Sequence, residues 1–407
     1  MNQLLDAIGI ALSAIWANKL RSFMMVLGNI VAVTSIIAVV SLIQGMNSYV
    51  ADAIVRDVGV GTFRVDREGV ITSQADWEKA MRRSKITLDE ARAIRSFSPL
   101  ISSVMAEMGG QTKIVYGTDT AENVNIRGVS SEYLEFAGFN VQEGRLPSRL
   151  EVDRSRPVVF LGWGTADQLF HGRPAIDQVV RIKGSHFRVV GVSEKLGSMF
   201  GESQDEFVVI PLGAAQKMLG SRQSLALTVK PADPARMDET MDDARTALRM
   251  RRKLSPGKTD NFGITTSDTL MDLWRDFSAS AFVLLVGIVS LSLVVGGIVI
   301  MNIMLMVVSE RTREIGLRKA LGARKRDIVW QVLTESTTLS IIGGILGTVL
   351  GFVAAALVAT FTPLPAAIQI WSVILGIGMT AIVGLTFGIY PALRAARLDP
   401  IEALRRE

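Results

Sequence analysis

No cysteine occurs anywhere in the 407 residues. That excludes disulfides, thiol chemistry and anchoring through a lipidated cysteine, and leaves the compartment undecided. Histidine is nearly absent too. The two present, His171 and His186, lack the H-x-x-x-H spacing that sets two imidazoles on one metal, so they read as surface or loop residues. No serine stands in a G-x-S-x-G elbow, which removes the commonest hydrolase signature. Charge is missing only locally: residues 22–43, 277–309 and 336–393 contain no Asp, Glu, Lys or Arg. A helix needs about 20 apolar residues to cross a bilayer, and each run supplies them. The formal net charge of +5 is concentrated beside these runs, which points to membrane orientation and anionic lipid rather than to nucleic acid.

The runs divide the chain. Residues 22–43, preceded by Lys19 and Arg21, exceed a secretory signal's apolar core, and no A-x-A site directly adjoins them. They read as an uncleaved first span with the N-terminus inside. Before them, Leu4, Leu5, Ile8, Leu12, Ile15 and Trp16 recur at helical spacing, so residues 1–21 are expected to form an amphipathic helix in the cytoplasmic interface. The second run, 277–309, would be about 50 Å long as a helix against a hydrocarbon core of about 30 Å, which predicts a span continued as a stalk. Asn302 in its inner half reads as a packing hydrogen-bonder before a substrate ligand. The third run holds two spans, 332–361 and 370–390, broken at Pro363 and Pro365. Gly343, Gly347 and Gly351 make a smooth strip for close helix packing, whether by a helix of the same chain or of a second copy. Glu335, at the inner mouth of the third span, is expected to pair with a neighbouring arginine. The tail, 391–407, is basic at Arg394, Arg397, Arg405 and Arg406, as a cytoplasmic segment should be.

Residues 44–276 have the texture of a soluble domain outside the membrane. Alternating and β-branched stretches predict strands near 62–65, 123–129, 157–161, 179–182, 187–192, 207–210 and 225–229. Helical patterns lie near 88–97, 165–170, 212–219 and 234–248, giving an α+β domain. Within it, Asp205-Glu206 reads as a solvated strand entry, and Arg245, Arg249, Arg251, Arg252 and Lys253 as a charged helix face. The GKT at Gly257, Lys258 and Thr259 is not a P-loop, since Arg252 stands where the pattern requires its first glycine.

The connection between the second and third spans, ERTREIGLRKALGARKRDI at 310–328, is dense in arginine and lysine, which assigns it to the cytoplasmic side. Gly316 and Gly322 bracket a short segment and suggest turns on both sides of it. Leu317, Ala320 and Leu321 then share one side, with Arg318 and Lys319 opposite. A loop that only sets topology is the plain reading; a docking knob for a partner is the sharper one.

This loop, together with ANKLRSFMMVLGNIVAV at 17–33 and YPALRAARLDPIEALRRE at 390–407, resembles the MacB-type, FtsX-like permeases of ABC transporters. GRLPS at 144–148 and FRVVGV at 187–192 look like pieces of that family's extracytoplasmic domain. The resemblance implies a polytopic α-helical membrane protein with four transmembrane helices. It also implies a large extracytoplasmic α+β domain between helices 1 and 2, carrying an inserted, mostly β part near 120–205. It further implies a multi-pass protein of the inner membrane working as a homodimer with an ABC ATPase, and a periplasmic adaptor belongs among the partners it allows. The chain itself is not expected to be an enzyme or to hold a cofactor: ATP and Mg are implied on the partner ATPase. The residues of the ATPase-coupling loop would be Glu310, Arg311, Arg313, Glu314, Ile315, Gly316, Leu317, Arg318, Lys319, Ala320, Leu321, Gly322 and Ala323. The function implied is transmission of ATP-driven motion to the outer domain, for export of an amphiphilic peptide, drug or lipid-like substrate. Two alternatives of other classes stay open: a regulator that works an extracellular hydrolase by the same lever, and a sensor with the loop as output.

Overall fold

A computed structural model describes residues 19–58, 61–136, 140–199, 202–361 and 369–405. Residues 1–18 of the amphipathic helix expected over 1–21, and the turn at Pro363 and Pro365, lie outside these residues. Two compact units form, Val50–Trp274 and a second made of Met1–Tyr49 with Arg275–Glu407.

The first element, α1 (Lys19–Val58), is a helix of 40 residues that continues well past the charge-free run. The unit that follows opens with β1 (Phe63–Asp66), α2 (Gln74–Arg82), α3 (Leu88–Phe97), β2 (Ile101–Tyr116) and β3 (Asp119–Val129). Next come β4 (Val141–Gly144), α4 (Arg149–Asp153), β5 (Val158–Leu161), α5 (Trp163–Phe170), β6 (Val179–Ile182) and β7 (Ser185–Ser193). It closes with a short hairpin, β8 (Ser198–Met199) and β9 (Glu202–Ser203), then β10 (Phe207–Pro211), α6 (Leu212–Leu219), β11 (Ala226–Pro231), α7 (Met237–Arg251) and β12 (Gly263–Thr266). One 10-stranded sheet runs in the order β12-β1-β11-β2-β3-β10-β5-β7-β4, with β6 joining β2 to β7. The pairs β3–β10 and β5–β7 are parallel and the others antiparallel, so strands and covering helices make an α/β domain. Apart from the β8–β9 hairpin, the strands of the 120–205 stretch belong to this same sheet.

A strand stands at each of the seven expected places, and α3 and α6 have the expected bounds. The longest strand, β2, has no counterpart among the expectations. Its second half reads Gly109, Gly110, Gln111, Thr112, Lys113, and glycine and polar residues hide a strand from pattern reading. The backbone there is held on one side by β3 and, at Ile114 and Val115, on the other by β6.

Two charged residues are more deeply placed than their sequence context suggests. Arg252 is no part of a solvated face. Its Nε donates to Glu90 Oε1 at 2.6 Å and its Nη1 to the carbonyl and side-chain oxygens of Asn261. The Arg252 and Glu90 side chains are 6% and 9% exposed, so the pair is desolvated and survives because its hydrogen-bonding capacity is used. Glu90 also closes a capping box with Thr87 at the start of α3. Asp205 is buried rather than solvated at a strand entry. Its carboxylate accepts from the Leu196 and Gly197 backbone N–H groups at 2.6 and 2.9 Å, which pins the base of the β8–β9 hairpin.

The other unit adds α8 (Ser267–Glu310), α9 (Thr312–Ala320), α10 (Lys325–Phe361), α11 (Ile370–Arg397) and α12 (Pro400–Arg405) to α1. Among the described residues, four helices are long and apolar enough to cross a membrane: α1, α8, α10 and α11. The second of them has 44 residues and begins before the charge-free run. The fourth runs through Pro391 to Arg397, so the first part of the expected tail is helical.

Small residues set the packing. The strip Gly343, Gly347, Gly351 lies against α1 of the same chain, where a Cβ would come within 2.7 Å of Val26, 2.8 Å of the Ile30 carbonyl and 2.9 Å of Ile37. Thr34 Oγ1 donates to the Gly347 carbonyl at 3.0 Å across that contact. On another side of α10, Ser336 Oγ donates to the Gly384 carbonyl of α11 at 3.0 Å. Close backbone approach with hydroxyl bridges is how helices associate where the solvent is itself apolar.

Candidate functional site: the connection between the second and third spans

Thr312 to Ala320 form one helix, α9, not a segment with a turn at Gly316. Gly316 is helical and buried against α12, where the Ala403 methyl leaves no room for a side chain. A Cβ there would stand 2.6 Å from the Ala403 Cβ of α12. Only Gly322 is a turn residue, at φ 102°. Gly322 N–H donates to the Lys319 carbonyl and Ala323 N–H to the Arg318 carbonyl, the paired bonds of a Schellman cap.

Buried Ile315 and Gly316 face the protein, while Lys319 is half-buried and tied down. Its Nζ donates to the carbonyl of Ala396, at 3.1 Å, and to that of Leu398. These are end carbonyls of α11, which carry partial negative charge and no intrahelical partner, so an ammonium there satisfies both needs. Arg318 Nη1 donates to Gln331 Oε1 of α10 at 2.7 Å. Arg311, between α8 and α9, pairs with Glu335 of α10 at 3.2 Å, the partner expected for that carboxylate. Through these contacts α9 is braced by α10, α11 and α12.

The opposite side is bare. Leu317 is 53% and Leu321 81% exposed, and Ala320 between them is exposed as well. Arg313, Glu314 and Arg318 are exposed around them, and Glu310, Gly322 and Ala323 complete the segment at its ends. The sequence pattern thus brought Leu317, Ala320 and Leu321 to one exposed face but missed the brace. Its signal is a small residue, Gly316, facing another small residue, Ala403. Trp330 on α10 and Ile401 on α12, 66% and 78% exposed, were also not singled out by sequence.

No group of three or more His, Asp or Glu suited to a metal ion occurs among the described residues. Gly257-Lys258-Thr259 follows helix α7 and precedes strand β12, the reverse of the strand-to-helix setting of a P-loop.

Comparison with known proteins assigns both parts of the chain. Residues 22–247 match the MacB-like periplasmic core domain, and residues 286–400, which include α9, match the FtsX-like permease C-terminal domain. The chain belongs to the MacB-like permease family. Relatives of this permease include the macrolide export ATP-binding/permease protein MacB of Bdellovibrio bacteriovorus, 32% identical over 393 residues. That alignment covers 96% of this chain and 60% of the relative. The protein of the same name from Chlorobaculum tepidum is 33% identical over 407 residues, covering all of this chain and 62% of the relative. The permease therefore spans about 60% of the length of the curated relatives it matches. Among solved structures, the periplasmic region of MacB from Actinobacillus actinomycetemcomitans aligns with a TM-score of 0.45 at 20% identity, covering 54% of this chain and 95% of that one.

Proposed function

We propose that this chain is the membrane subunit of an ABC transporter of the MacB type, and that α9 is the element on which an ABC ATPase docks. The observation that carries the reading is the face of Leu317, Ala320 and Leu321: apolar, exposed, ringed by charge, and held on a helix braced from behind. An apolar surface costs free energy in water, and a rigid mount lets a partner's motion pass into α10, α11 and α12 instead of being absorbed locally. Arg313, Arg318, Arg324, Lys325 and Arg326 around α9 support a cytoplasmic position, with both termini on that side and the domain between the first and second spans outside. ATP and Mg belong to the ATPase in this reading, two copies of the permease form the working unit, and the cargo is an amphiphile. A periplasmic adaptor is a further partner consistent with an exporter.

The test replaces Leu317→Asp or Leu321→Asp and measures co-purification with a co-expressed ABC ATPase. An uncompensated charge in a desolvated contact costs several kcal/mol, roughly 3–5, enough to dissociate a modest interface. Loss of association with normal membrane insertion is expected. Unchanged association and unchanged stimulated ATP hydrolysis in both variants would leave the connection as a topology signal alone.

A further inference from the structure

The fourth span carries its own depth marks. Trp371 and Tyr390 are both exposed, one near each end of α11. They stand about 28 Å apart at about 1.5 Å per residue, against a hydrocarbon core of about 30 Å. Aromatic rings with a polar edge collect at the two boundaries of that core, so the pair places Tyr390 at one of them. Trp330 of α10 marks the same boundary independently. It is exposed, and Leu333 and Ser336, just along its helix, meet α11 at Gly388.

Beyond Tyr390 the helix continues as a cationic face. Arg394 and Arg397 follow it at steps of four and three, which sets all three on one side of α11. Both arginines are exposed, as are Ile382, Leu385 and Ile389 nearer the bilayer centre, whereas Gly384, Gly388, Ala392 and Ala395 on the opposite side are buried. Arg394 lies about 6 Å past Tyr390 and Arg397 about 10 Å, against a headgroup layer of roughly 5–8 Å beside the hydrocarbon. Side chains on a helix lean toward its N-terminus, which here is toward the bilayer, so both guanidiniums are within reach of that layer.

Neither arginine has an ion pair or hydrogen bond among the described residues. Asp399, the next acid along the chain, is committed elsewhere: its Oδ1 accepts from the Ile401 N–H at 2.8 Å. Lys319 already serves the end carbonyls of Ala396 and Leu398. Like charges one turn apart on a helix repel, and an anion held between them removes that cost.

We propose that Arg394 and Arg397 bind the phosphate of an anionic phospholipid, with Tyr390 against its glycerol region. A zwitterionic lipid offers the same phosphate but brings a cation beside it, and α11 has no acid to receive that cation. The site rests on α11 being a membrane span and not on ATPase docking. It adjoins the brace of α9, since Arg397 stands between the two residues whose carbonyls hold Lys319.

The full chain in an uncharged maltoside detergent is titrated with a fluorescent phosphatidylglycerol, and binding is read as energy transfer from tryptophan to the probe. Unlabelled phosphatidylglycerol should displace the probe at a concentration at least about 5-fold lower than phosphatidylcholine, and inorganic phosphate over the same range should not displace it. Each arginine near an anionic headgroup is worth about 5-fold, so Arg394→Gln with Arg397→Gln should weaken probe binding by roughly 30-fold. Both positions are exposed and unbonded, so thermal unfolding of this variant without lipid should match the wild type. Arg324→Gln with Arg326→Gln removes the same charge from the neighbouring connection and should leave probe binding within about 2-fold. Equal weakening by the two pairs of substitutions would replace the site with diffuse charge. Displacement by phosphatidylcholine as strong as by phosphatidylglycerol would overturn the anionic preference, and displacement by inorganic phosphate would overturn lipid as the ligand. Release of the Arg394, Arg397 variant from membranes without detergent would instead refute the span on which the site rests.

Discussion

Replacing Gly316 with alanine tests whether α12 is a brace or a bystander. An ideal Cβ at Gly316 stands 2.6 Å from the Ala403 Cβ, whereas two carbons rest about 3.5–4.0 Å apart. The helices must part by roughly 1 Å, and overpacking of that kind costs about 1–3 kcal/mol. Alanine also raises helix propensity by about 1 kcal/mol, but α9 is a helix whether or not α12 is docked, so that gain cancels from the docking equilibrium. Docking should therefore weaken by about 5- to 150-fold. Limited trypsin digestion of the detergent-solubilised full chain reads this out, because release of α12 opens the chain after Arg397. Gly316→Ala should lose a C-terminal epitope faster than the wild type, and Ala403→Gly added to it should restore resistance by removing the opposing methyl. Digestion at the wild-type rate in Gly316→Ala, or no rescue in the double variant, would refute the brace.

Two further outcomes concern the other unit. Arg252→Met leaves Glu90 buried without its cation and should cost about 3–5 kcal/mol in denaturant unfolding of the full chain, whereas a merely solvated pair would shift it by under about 1 kcal/mol. Glu151 accepts from both terminal nitrogens of Arg145, at 2.7 and 2.8 Å, and from the Ser148 N–H and hydroxyl; together these hold its pKa at about 2 against an ordinary 4.5, with the Arg145 bonds the largest cause. A depressed carboxylate stabilises the fold fully above the unfolded value and loses that contribution as pH falls through the folded one. The stability difference between wild type and Arg145→Leu should therefore be constant above pH 4.5 and vanish by about pH 2, as followed by intrinsic fluorescence; a difference independent of pH would refute the assignment.

What could be read in advance depended on whether one physical term dominated. Long uncharged runs leave few alternatives to membrane-length helices, and alternation over short β-branched stretches located β5, β6, β7 and β10 because those strands are buried on at least one side. The failures lie where local signals compete with tertiary ones. Gly316 has the chemistry of a turn and of a close contact, and only the position of Ala403 chooses between them. Asp205 and Arg252 look solvated in one dimension because their hydrogen-bond partners, Leu196, Gly197, Glu90 and Asn261, are separated from them in sequence. In β2, Gly109 and Gly110 suppress a strand signal that two neighbouring strands override.

The β1–β12 ladder has a consequence for how this architecture diversifies. The strand on which the chain enters the sheet and the strand on which it leaves are hydrogen-bonded neighbours, with Phe63 opposite Thr266 and Asp66 opposite Gly263. Entry and exit are thus about 5 Å apart, the spacing of adjacent antiparallel strands. A domain closed in this way makes almost no demand on the separation of the two segments that carry it. It is a portable cassette: one outer domain can replace another at the same two attachment points while the helices, the glycine strip and the braced connection stay as they are.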